Sequence, residues 1–142
     1  MATYMQGAMK QGSNPSEYSN DVGYAVFTRS ATLQAATATN VDATIPVPAG
    51  CQILAIYVDS SVAWTATGAV AFTAGITAGG TEYITSIDLK TVVRGAPTLT
   101  ATQVGAMANV GTNTNVVVRA NSASGANTTG TTLVTVAYIP KS

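Results

Sequence analysis

Gln52-Ile53-Leu54-Ala55-Ile56-Tyr57-Val58-Asp59 is the stretch on which the fold class turns. Its six central residues, Ile53 to Val58, are all apolar or aromatic, and Ala49-Gly50 just before them is a turn signal. A short run that is apolar on both faces predicts a central β-strand covered on both sides. Upstream, Thr44-Ile45-Pro46-Val47-Pro48 must lie at a sheet edge or a strand end, because each proline removes a ladder donor. Further back, Tyr24 to Arg29 and Thr32 to Thr39 read as two more strands, the second built of small residues.

Downstream, Ala69 to Ile76 alternates cleanly, with Val70, Phe72, Ala74 and Ile76 on one face and small residues on the other. After the Gly79-Gly80 turn, Tyr83, Thr85, Ile87 and Leu89 share a face, opposite Glu82, Ile84, Ser86 and Asp88. Thr114 to Ala120 and Thr131 to Ile139 close the chain, and the polar loop Asn121 to Gly130 is expected to join them as a long hairpin. Ala96 to Val110 fits either a helical turn near Thr102 to Ala108 or a strand near Thr98 to Thr100. Seven or eight short strands without a long helix predict an all-β, antiparallel two-sheet sandwich. Spacing leaves jelly-roll and immunoglobulin-like strand orders both open, although the Cys, Trp, Cys signature of the latter is missing.

Residues 1–22 differ from the rest: Gly, Ser, Asn and Gln dominate and no period of two appears, so the sandwich is assigned to residues 23–142. The segment reads as an extended N-terminal arm or as a disordered tail. Tyr4, Met5, Met9 and Tyr18 are adhesive residues that would serve an arm, making them candidate contacts to a partner or to a second copy. Met5 and Met9 would share one face of a short helix.

Composition bounds the function. Charged residues make up 8% of the 142-residue chain, against about 25% in an ordinary soluble domain. Free monomers use surface charge to stay soluble and to keep sheet edges from pairing. A surface of Ala, Thr, Ser, Asn and Gly with zero formal net charge suits a protein packed against other proteins. The six basic residues are scattered, so neither nucleic acid nor a membrane surface is an expected partner. Met1 to Gln6 carry no basic or apolar region of a secretory signal, and no apolar run is long enough to span a bilayer. Folding in a cytoplasm is the expectation.

Catalytic chemistry finds little to work with. The chain has no histidine, which removes the commonest general base and the usual zinc ligand. Cys51, the one cysteine, lies at the start of an apolar strand and reads as a small buried residue. Glu82 and Asp88 share a strand face but stand about 20 Å apart in extended chain, too far for a glycosidase pair. Asp59 has no evident partner, and Asp21 and Asp42 are too sparse for a calcium site. No cofactor, metal or small-molecule substrate is expected, and the protein reads as non-enzymatic. Trp64, between two strands, fits either packing over one end of the sandwich or an exposed loop ring that anchors an interface or stacks on a sugar.

The run Ile45 to Val58, in which Pro48-Ala49-Gly50-Cys51-Gln52-Ile53 turns into an apolar strand, resembles small virion proteins of tailed phages. So do the Gly75 to Gly80 hairpin, the strand Glu82 to Leu89, and the Thr-Gly-rich loop leading to Tyr138-Ile139-Pro140. Together, over residues 41–140, these resemble the jelly-roll decoration (cement) proteins of tailed-bacteriophage capsids. The resemblance implies a homodimer or homotrimer on the outer capsid surface that bridges neighbouring major capsid subunits, with no catalytic residues. The alternative is a head-fibre, tail-fibre or carbohydrate-binding module of a virion.

Overall fold

A computed structural model describes residues 25–140, and it arranges them as eight strands and one short helix. In chain order these are β1 (Phe27–Gln34), β2 (Asn40–Pro46), β3 (Gln52–Thr65), β4 (Val70–Gly75), β5 (Ile84–Asp88), β6 (Val93–Gly95), α1 (Ala101–Ala108), β7 (Asn115–Ser122) and β8 (Thr129–Ile139). All pairings are antiparallel, and they nest: β1 with β8, β2 with β7, β3 with β6, β4 with β5. Two further pairings, β3 with β8 and β4 with β7, complete one sheet in the order β1-β8-β3-β6 and a second in the order β2-β7-β4-β5. That is the order of a jelly roll, a long hairpin rolled into two facing sheets.

The strands alternate because one face of each sheet is buried against the other. In β7, Val116, Val118, Ala120 and Ser122 point inward while Asn115, Val117, Arg119 and Asn121 are only half-buried. Leu33, Ile56, Val58, Val134 and Val136 of the first sheet belong to one core with Ile45, Phe72, Val116 and Val118 of the second. Pro46 sits at the end of β2, an edge strand, where the missing donor does no harm.

Four sequence expectations change. The runs Tyr24 to Arg29 and Thr32 to Thr39 contribute to a single strand, β1, because Ser30 and Ala31 stay in register with Thr135 and Val134. Its exit turns at Thr37, whose φ is 54°, and buried Asn127 holds that turn by donating to the Ala38 and Thr39 carbonyls. The strands β7 and β8 do not form a hairpin: they lie in different sheets, and the Asn121 to Gly130 loop crosses between them. In the β5 region Tyr83 and Ile84 are both buried while Thr85 is exposed, because the register slips between Phe72 and Ala74.

The fourth concerns β3. It is central within its sheet but covered on one face only. Ile53, Ile56, Val58, Ser60 and Trp64 point inward, and the register shifts along the strand turn Leu54, Tyr57 and Val62 out to 44%, 48% and 46% exposure. Helix α1 confirms a helical turn after Leu99. Thr100 caps it, its hydroxyl accepting from the Gln103 amide while the Gln103 side chain accepts from the Thr100 amide. Buried Gln103 also donates to Thr85 at 2.9 Å, and Met107 anchors the helix in the core beside β3.

Candidate interaction surface

Most charged side chains of the described residues, Arg29 apart, are engaged in pairs or caps. Asp42 accepts two hydrogen bonds from Arg119, at 2.6 and 2.9 Å, and Asp59 pairs with Arg94 at 3.2 Å. The Asp42 contact holds the Arg119 guanidinium above its ordinary pKa. Glu82 caps the Ile76 amide, Asp88 the Lys90 amide, and Lys90 donates to the Ala66 and Gly68 carbonyls. Among the described residues no three of His, Cys, Asp or Glu come together as a metal site. Cys51 is buried, and desolvation pushes its thiol pKa up, away from the reactive thiolate. The hollows between elements are shallow, such as one of about 170 Å³ between α1 and β3 and one of about 250 Å³ beside Arg29 and Pro46 to Pro48. Small-molecule sites usually enclose more.

Trp64 is inside, not at a surface. It is 1% exposed, and its indole donates to Thr132 Oγ1 at 2.8 Å, which in turn donates to Ser60 Oγ at 3.0 Å. Gly130, with φ of 144°, leaves room for the ring: a Cβ there would lie 2.8 Å from Trp64 Cε2. The packing reading of Trp64 therefore holds, and it presents no ring to a partner. Tyr4, Met5, Met9 and Tyr18 lie outside the described residues.

What distinguishes one surface from another is the contrast between the two outer sheet faces. On the β2-β7-β4-β5 sheet the outward rows run Asn40-Asn121-Ala71-Asp88, then Asp42-Arg119-Thr73, then Thr44-Val117-Gly75, polar in the first two apart from Ala71. On the β1-β8-β3-β6 sheet they run Tyr57-Thr135-Ser30, then Arg94-Asp59-Leu133-Thr32, then Val62-Thr131-Gln34. Among the described residues, exposed Tyr57, Val62 and Leu133 stand on these outward rows with exposed Leu54 at the bulge of β3, whereas no exposed large hydrophobic lies on strands of the other sheet; Phe27 instead stacks on Tyr138 at the core side of β1. Val104 of α1 extends the apolar patch past Leu54, across the hollow between helix and strand. Apart from the Asp59–Arg94 pair and the Gln34 amide, these outward rows hold hydroxyls and apolar groups. Exposed apolar side chains gathered on one sheet face make it the candidate contact surface. The sequence signal was present in β8, where Leu133 and Val134 are adjacent and cannot both point inward.

No family model matches the chain, and no curated protein matches it. Among solved structures, a chain of one described as "Cyanophage Pam1 capsid asymmetric unit" is similar in fold, with a TM-score of 0.59 at 20% identity. The likeness covers 84% of this chain and 87% of that one, so the two are close in length.

Proposed function

We propose that this protein is a structural component of a phage virion that binds the outside of the capsid and cements neighbouring major capsid subunits. The observation that carries the reading is a jelly roll matched over 84% of the chain by a chain of a phage capsid, on a domain whose few charged side chains are mostly engaged in pairs and caps. Low surface charge and an uncovered apolar sheet face are what a protein needs if its surface is to be buried by others. The role is non-enzymatic on this reading, supported among the described residues by Asp42 and Asp59 being paired, Glu82 and Asp88 capping backbone amides, and the Cys51 thiol being buried.

Cementing asks for specific contact with more than one shell subunit. A stable contact buries roughly 1,200–2,000 Å² in total, and a second contact from the same molecule adds through effective concentration. We assign residues 1–22 to the reach across a subunit seam, with Tyr4, Met5, Met9 and Tyr18 as its contact groups. A sugar-binding role has lost Trp64 as its platform, since that ring is enclosed.

The test is reconstitution on shells assembled without the protein. Saturable binding in a fixed ratio to the major capsid protein, with a higher shell rupture temperature, is the expected result. Deleting residues 1–22 should lower occupancy and leave the sandwich folded. A protein that leaves such shells bare at saturating concentration is no cement.

A further inference from the structure

We infer that Asp21 docks on Arg29, folding the chain that precedes β1 back over a hollow at the corner between the two sheets. Arg29 is unusual for its place in the strand. It pairs with Val136, so it shares the core-facing side of β1 with Phe27, Ala31 and Leu33. Along that row burial fades toward the start of the strand: Leu33 is buried, Ala31 half-buried, and Arg29 and Phe27 exposed. Pro46, Val47 and Pro48 stand across from Arg29 and leave a hollow of about 250 Å³. That wall offers no free amide: the prolines have none, and the Val47 N–H donates to the Thr114 carbonyl at 2.8 Å. The hollow therefore presents one guanidinium against apolar rings. The free edge of β1 lies beside it, since β1 pairs only with β8 and can take up a returning backbone.

Charge names the occupant. Of the 6 acidic residues in the chain, Asp42 and Asp59 pair with Arg119 and Arg94, and Glu82 and Asp88 cap backbone amides. Glu17 and Asp21 are those that remain. Lys90 is taken up by the Ala66 and Gly68 carbonyls, which leaves Arg29 as the cation without a polar partner among the described residues. Spacing chooses between the acids. Ala25 and Arg29 are separated by about 13 Å of extended chain, and Asp21 lies as many residues before Ala25 as Arg29 lies after it. A chain that doubles back around Ala25 brings Asp21 level with Arg29, with Gly23 in the bend. The same path would set Glu17 level with buried Leu33, past the hollow.

Tethering favours this occupant over a separate molecule, because a carboxylate joined to its partner by a short stretch of chain acts at an effective concentration of about millimolar. An exposed ion pair alone is weak and is screened by salt, so the contact is a reversible latch. Its consequence is directional. With Asp21 held at the corner between β1 and β2, the residues before it leave the sandwich from that corner. The latch is independent of the capsid reading, since it can hold in a protein that binds no shell.

Hydrogen exchange of the full chain, read on peptides covering residues 15–24, tests it. In the wild type these amides should exchange about fivefold more slowly than in Arg29→Gln or Asp21→Asn, the scale of a local opening. Glu17→Gln should match the wild type, and the swapped protein, Asp21→Arg with Arg29→Asp, should regain protection. As a second readout, Asp21→Cys with Pro48→Cys on the far wall of the hollow should close an intrachain disulfide under mild oxidation. Asp21→Cys with Ser124→Cys, on the loop at the opposite end of β7 from Pro46, should not. Wild-type amides that exchange as fast as those of Arg29→Gln, or protection indifferent to both charges, overturn the assignment. So does protection lost in Glu17→Gln, or a disulfide that forms only between molecules, since another carboxylate would then hold Arg29.

Discussion

Gly130→Ala is the substitution whose effect the structure specifies most fully. Two independent penalties meet there. The residue has φ of 144°, a region that L side chains avoid, and holding a non-glycine residue in it costs of order 1–3 kcal/mol. The added Cβ would also fall against the indole of Trp64, which is 1% exposed and tied to Thr132, so the ring has nowhere to retreat. Overpacking of this kind costs about 1–3 kcal/mol more. The sum is about 4 kcal/mol, which for a domain of this size lowers Tm by about 15 °C.

Two other glycines separate the contributions. Gly95 has φ of 127° with open space around it, so Gly95→Ala should show the backbone penalty alone, about 1–3 kcal/mol. Gly105 lies in α1 with no atom in the way, and Gly105→Ala should stabilise by about 0.5–1 kcal/mol through helix propensity. Urea unfolding can be followed by the emission of Trp64, the only tryptophan, which sits at the Gly130 site itself. The order Gly105, Gly95, Gly130 is the prediction. A Gly130→Ala protein within about 1 kcal/mol of wild type would refute the enclosed-indole account.

Three further outcomes follow from the same geometry. Cys51, fully buried, should be silent to an aromatic disulfide reagent in the native protein and titrate as one thiol in denaturant; fast native labelling would contradict its burial. Burial raises the pKa of both Cys51 and Tyr83 above their ordinary values of 9.0 and 10.0, so the folded state holds these protons more tightly than the unfolded chain. Their contribution is complete below pH 9 and declines as pH climbs past those values, so urea midpoints should fall from pH 9 to 11, and Tyr83→Phe should flatten the fall above pH 10. Arg119→Ala should lower stability by only about 0.5–1 kcal/mol, since its partner Asp42 remains in contact with water; a loss several times larger would mean the pair is better shielded than its geometry shows.

Strand existence was legible wherever burial imposes a period on neighbouring residues. Val116 to Ala120 and Val70 to Ala74 carry their inward faces in plain alternation, and Pro46 announced an edge. Register was not legible, because it is set by partners far along the chain. The bulge between Ile53 and Ala55 decides that Leu54 faces water, yet nothing in the local pattern distinguishes it from Ile53. Strand β6, three residues long, is too short to show a period at all. Trp64 is enclosed because Gly130 makes room for it, a relation between two strands rather than a property of either. The candidate surface was hidden for the same reason: Tyr57 and Leu133 became neighbours only when β3 and β8 paired. Charge depletion, by contrast, needs no register, and the 8% charged composition is legible in the sequence itself.

The nesting of first strand with last also governs when the molecule can form. Ser30 and Thr135, hydrogen-bonded in the finished sheet, are 105 residues apart in the chain. β8 is the strip that joins β1 to β3, so a nascent chain still missing β8 has two strands of one sheet without the neighbour that holds them together. Acquisition of the native state must then wait until β8 has been synthesised, and such long-range closure is slow. Premature termination anywhere before Thr129 should yield not a smaller sandwich but an unpaired, adhesive polypeptide destined for proteolysis or inclusion bodies.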